Sequence, residues 1–113
     1  MIIALPCDEE GNFFLFTGHT PAFRLYEVED KKIVSDKIIS TGDIHHEGLP
    51  KLLHDNNVNV LLCNHMNAVI LSLLLQYHIE VCTNVDGEIE DIVKHYLDET
   101  LEFSTDPNCP HCH

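Results

Sequence analysis

The sequence predicts a small α/β domain built on a mixed sheet. Three observations predict it. Up to Ser40, short apolar runs alternate with turn residues. After Gly42 the apolar period becomes helical. Between Val58 and Cys82 a strand, a helix and a strand follow one another. With 113 residues the chain amounts to one domain, long enough to bury a core.

The elements follow in order. Ile2-Ile3-Ala4-Leu5-Pro6 is an apolar run ended by proline, which reads as a buried strand. Asp8–Asn12 is a turn, and Phe13–Phe16 reads as a second short strand. Ala22–Val28 and Ile33–Ile39 flank the polar tip Glu29-Asp30-Lys31-Lys32, the pattern of an antiparallel hairpin. Leu49, Leu52 and Leu53 sit at helical spacing. Pro50 fits only a first turn, so that helix begins just before it and ends at Asn56-Asn57. Val58–Leu62 is a buried strand. Met66–Tyr77 is a leucine-rich helix with Asn64 available as its cap. Ile79–Cys82 is the last strand. Ile89, Ile92, Val93, Tyr96 and Leu97 then mark an amphipathic helix with acids in its first turn, where the helix dipole favours them. The unit Val58–Cys82 is βαβ, so its strands are expected to be parallel, with helices on the faces of the sheet. Residues 1–103 form the domain. Residues 104–113 lack periodicity and read as a flexible Cys/His-rich metal-binding tail.

Composition excludes several function classes. There are 19 acidic against 6 basic residues, so the basic footprint that nucleic acid requires is missing. The same imbalance disfavours anionic membranes. The longest apolar run, Val69–Leu75 broken by Ser72, is too short to span a bilayer. The chain opens directly on a strand without a basic leader, and a cytoplasmic location is the expectation.

The uncommon feature is nine histidines beside five cysteines. An odd number of cysteines does not fit a closed disulfide framework. Thiolate and imidazole together suit borderline and soft metals. Their placement is informative. Cys7 follows the first strand and Cys63 the strand Val58–Leu62, with His65 just beyond. His45 and His46 precede the first helix, and His19 lies in a Gly/Pro loop. Open α/β sheets bind ligands beyond the carboxyl ends of their strands, so these residues are expected to gather at one edge. A thiol beside a helix N-terminus ionises more readily, which favours Cys63 as a ligand. Cys82, ending a buried strand, reads as core, and His54, His78 and His95 read as surface. In the tail, Cys109, His111, Cys112 and His113 form the densest ligand group. Cys-x-x-Cys supplies half of a tetrahedral site, so partners must come from the body or from a second subunit in a homodimer.

Several segments together resemble one family. Ile2–Asp8 looks like the opening strand and Pro-x-Asp step of the dinitrogenase iron–molybdenum cofactor biosynthesis family, the nitrogenase accessory factor-like domains. Gly18–Phe23 falls where that family has a His-Phe-Gly-Arg-Ala-like loop. Val58–Ala68 falls at its strand and glycine-rich turn. Ile79–Val81, Gly87 and Glu88–Leu97 resemble its closing strand and helix. The resemblance spans about residues 1–102. It implies an RNase H-like three-layer fold. It also implies binding of an iron–sulfur or iron–molybdenum-type cluster by a carrier or assembly protein that works with cluster donors and acceptors. In this chain Cys63-Asn64-His65-Met66-Asn67 replaces the glycine-rich turn, and His45-His46 precede the first helix. Ligand-type residues thus stand where the family has small ones.

The expected function is therefore cluster binding without catalysis. Zinc binding in a structural or regulatory role is the alternative. A two-metal nuclease needs several carboxylates converging on metals about 3.5–4 Å apart. Asp8-Glu9-Glu10 follow the first strand, but Cys63 stands where a second acid would be needed. A thiol-redox role for Cys109/Cys112 lacks the βαβ setting of thioredoxin-like sites.

Overall fold

The computed structural model describes residues 1–14, 16, 20–44 and 47–99. Five strands form one sheet: β1 (Ile2–Cys7), β2 (Ala22–Glu29), β3 (Lys32–Ser40), β4 (Val60–Leu62) and β5 (Glu80–Cys82). The helices are α1 (Gly48–Asp55), α2 (Ala68–Gln76) and α3 (Ile89–Leu97). The sheet order is β3-β2-β1-β4-β5. β1 pairs antiparallel with β2 (Ile2 opposite Glu27, Cys7 opposite Ala22) and β2 antiparallel with β3. β1–β4 and β4–β5 are parallel. The expected hairpin and βαβ unit are both present.

Strand alternation sends neighbouring residues to opposite faces. Ala4, Phe23, Leu25, Leu61 and Val81 pack with Leu49 and Leu53 of α1 and Ile70 and Leu74 of α2. Ile3, Leu5, Tyr26, Val60 and Leu62 pack with Ile89, Ile92 and Val93 of α3. Two apolar layers therefore sandwich the sheet. The central strand β1 is buried over its last five residues.

Local chemistry sets the connections. Asp30 and Lys31 both have positive φ (51° and 64°), the geometry of a two-residue type I′ turn that matches strand twist. Near that tip the β2–β3 register shifts between Glu27 and Val28: Ser35 faces Glu27 and Ile33 faces Val28, leaving Val34 as the extra residue of a bulge. Asn57, with φ 61°, ends α1 and directs the chain into β4.

Two expectations need correction. The segment Phe13–Phe16 does not form a strand over its described residues. It contributes a single bridge, Cys7 to Phe13, because Asp8 closes a tight turn whose carboxylate accepts the Glu10 and Asn12 N–H groups (both 2.9 Å). The cap of α2 is Asn67, not Asn64: its side chain accepts the Ile70 N–H at 2.8 Å, so the helix starts at Ala68 rather than Met66. Asn64 is engaged in the loop instead.

Candidate functional site

The topology brings four connections to one end of the sheet. β1, β4 and β5 end there, as does β3, and β2 begins there. The segments after β1, β3, β4 and β5 therefore meet at the carboxyl edge, as the sequence led us to expect for a ligand site.

Two polar residues tie these segments together. The buried Thr41 hydroxyl donates to the Thr20 carbonyl (2.8 Å) and also approaches the Pro21 carbonyl (3.0 Å), joining the β3–α1 and β1–β2 connections. Asn64 joins three. Its side-chain oxygen accepts the His65 N–H (3.0 Å) and, more weakly, the Phe16 N–H (3.5 Å). Its carbonyl accepts the Asn84 N–H (2.8 Å) from the β5–α3 connection. Cys63 extends the parallel ladder: its N–H donates to the Cys82 carbonyl (3.0 Å), and its carbonyl accepts from Val85 (3.1 Å). The edge is thus braced by hydrogen bonds rather than held by regular structure. Nothing in the sequence marked Thr41 or Asn64 for this role beyond their being polar residues within two positions of a strand end.

The predicted donors are distributed unevenly. Cys7, Cys63 and Cys82 are all fully buried. Cys63 points to the face covered by α1 and α2, whereas Cys7 and Cys82 point to the α3 face, so the three sulfurs do not converge. The Cys63 thiol approaches the Cys82 carbonyl at 3.7 Å. It lies five residues before α2 begins rather than against that helix's first turn. Burial, reinforced by the Asp8 carboxylate and opposed by Arg24, pushes the Cys7 thiol up to about 11. Burial and Glu80 push Cys82 up to about 12. Both are neutral thiols at physiological pH and poor ligands as they stand.

His65 is exposed on the loop above Cys63. Cys63 and His65 are therefore the two predicted donors that the described structure places in one loop at the edge. His19, His45, His46, Cys109, His111, Cys112 and His113 lie outside the described residues. Among the described residues no three His, Cys, Asp or Glu side chains converge as a metal-holding group. His54 is on α1 and stacks on Tyr77 (ring centroids 4.7 Å apart), and His78 closes α2 with φ 61°. Both stand away from the edge. No described helix is long and apolar enough to cross a membrane.

Comparison with known proteins agrees with this architecture. The structure is similar to that of the protein PH0822, with a TM-score of 0.85 at 20% identity over 94% of this chain and 96% of that one. It is similar to a Methanocaldococcus jannaschii protein described as a candidate dinitrogenase (TM-score 0.75, 17% identity, 95% and 97% of the two chains). It also resembles the apo form of the orange protein from Desulfovibrio gigas (TM-score 0.80, 17% identity, 95% of each chain). At such identities these likenesses establish the fold alone. No curated protein matches the chain. The model of one family, described as dinitrogenase iron-molybdenum cofactor, matches residues 1–99. The match spans the whole sheet and all three helices, and the chain belongs to the dinitrogenase iron–molybdenum cofactor family.

Proposed function

We propose that this protein binds an iron–molybdenum- or iron–sulfur-type cluster as cargo at the carboxyl edge of its sheet, and that it carries the cluster between assembly proteins without catalysing a reaction. The observation that supports this reading most is the braced loop edge within a family-matched fold. Family membership supplies the cargo class, and the topology supplies a place where four connections meet. The strand order β3-β2-β1-β4-β5 also supports reading the fold as RNase H-like.

A closed structural zinc site needs four ligands. The described residues offer Cys63 and His65 in one loop, with the thiol beneath the surface and the imidazole above it. Further donors are proposed from His19, His45 and His46, whose chain segments adjoin the described residues Thr20, Ile44 and Glu47, and from the Cys109–His113 segment. Thr20 and Ile44 are both hydrogen-bonded to Thr41 at the edge.

Anaerobic purification followed by iron, molybdenum, zinc and acid-labile sulfide analysis tests this reading. Iron with sulfide and visible charge-transfer bands is expected. One colourless zinc per chain would favour the zinc-protein alternative. Absence of all metals after reconstitution would refute both.

A further inference from the structure

A second feature lies along the β2–β3 hairpin and α3. The β2–β3 hairpin tip and the C-terminal half of α3 enclose an open groove of ≈ 580 Å³. Its walls carry Lys31, Lys32 and Ile33 from the hairpin, Lys94 and Leu97 from α3, and Asp98 just beyond that helix. Arg24, Tyr26, Asp36 and Glu90 complete it. The bulge at Val34 puts Ile33 opposite Val28 of the α3-facing layer, and Ile33 lines the groove.

Three independent observations point to an anion. First, the chain has 6 basic residues against 19 acidic ones, and four of those six line this groove, Arg24, Lys31, Lys32 and Lys94, against three acids, Asp36, Glu90 and Asp98. Secondly, the ammonium groups of Lys32 and Lys94 have no ion-pair partner among the described residues, whereas Lys31 lies 3.8 Å from Glu99 and Arg24 lies 2.9 Å from Asp36. Thirdly, Tyr26 is 4% exposed and its buried hydroxyl has no hydrogen-bond partner. Buried hydroxyls are normally satisfied, and an orphan one in a groove that also holds two lysines without ion-pair partners is a donor ready for a ligand. Its charged neighbours Arg24, Asp36 and Glu90 all line the groove.

We propose that the groove between the β2–β3 hairpin and α3 binds a small organic anion, a carboxylate or phosphate head on a short apolar body, with Tyr26 donating to the head and Lys32 and Lys94 balancing its charge. The Arg24 guanidinium lies 5.2 Å from the Tyr26 ring centroid and is hydrogen-bonded to Asp36. Asp36 is half-exposed and occupies the position of the ligand head on Arg24. The incoming anion displaces that carboxylate and uncovers the hydroxyl. Ile33 and Leu97 contact the apolar body.

The test is an amide NMR titration of the full chain with phenyl phosphate and, separately, with benzoate. Benzyl alcohol serves as the uncharged control. Saturable shifts at Tyr26, Lys32, Ile33, Lys94 and Leu97 with either anion, absent with the alcohol, are expected, and the tighter anion identifies the head group. Tyr26→Phe and Lys94→Gln should each weaken binding roughly ten-fold. Tyr26→Phe removes an orphan donor, so it is expected to fold at least as stably as the parent, and its thermal midpoint verifies this. Saturation by neither anion, or equal affinity in a folded Tyr26→Phe protein, would overturn the proposal.

Discussion

At the scale of single residues, Cys7 and Cys82 behave as core rather than as reagents. Cys7 and Cys82 are both fully buried, and their thiols are raised from the ordinary 9.0 to about 11 and about 12. The unfolded chain therefore loses these protons first as pH rises. Stability is fully present below pH 9 and falls between pH 9 and about 11–12, at about 1.4 kcal/mol per pH unit for each thiol. Urea denaturation at a series of pH values should show this decline, to which the Tyr26 and Tyr96 phenols, raised by burial, add, and Cys82→Ala should make it shallower. A flat profile above pH 9 would contradict the burial argument. Thr41 makes a second prediction. Thr41→Val keeps the shape but removes the donor to the Thr20 and Pro21 carbonyls. We expect a loss of about 1–3 kcal/mol, measured by the same denaturation experiment. Amide exchange should also accelerate in residues 20–22 and 41–44, where the brace acts.

At the scale of elements, what was legible depended on whether a signal was local. The α3 pattern Ile89, Ile92, Val93 needs only one face of one helix, and those residues are buried as the period predicts. The hairpin was legible for the same reason. The cap of α2 was not, because Asn64 and Asn67 are both good capping residues and the choice rests on partners elsewhere in the chain. Asn64 is tied to Phe16 and Asn84, and the cap falls to Asn67. Asn67→Ala should therefore cost about 1 kcal/mol of stability through loss of the bond to Ile70. A thermal or urea midpoint measures this, and helical amide exchange locates it at Ala68–Leu71. The shared carboxyl edge was legible from strand order, since loops after parallel strands must share an end. The direction of each thiol was not, because it depends on strand register: Cys63 falls on the α1/α2 face and Cys7 on the α3 face.

At the scale of the whole molecule, the two ends carry different chemistry. The carboxyl edge gathers polar braces and the Cys63–His65 loop, whereas the hairpin end gathers cations in a chain of formal net charge −13. The core between them is divided by the sheet into two apolar layers, each closed by its own helices. Removing a fully buried leucine from either layer, such as Leu53 or Leu62, should cost about 2–5 kcal/mol. The central claim is that the carboxyl edge is where the cluster sits. It is tested most directly by adding an anaerobic iron–sulfur or iron–molybdenum-type cluster to the isotopically labelled protein and mapping paramagnetic broadening of its amide signals. The account predicts broadening centred on Cys63–Asn67 and Asn84–Gly87, diminished when Cys63 and His65 are replaced by alanine. Broadening confined to Cys109–His113, or centred on the hairpin end, would contradict it.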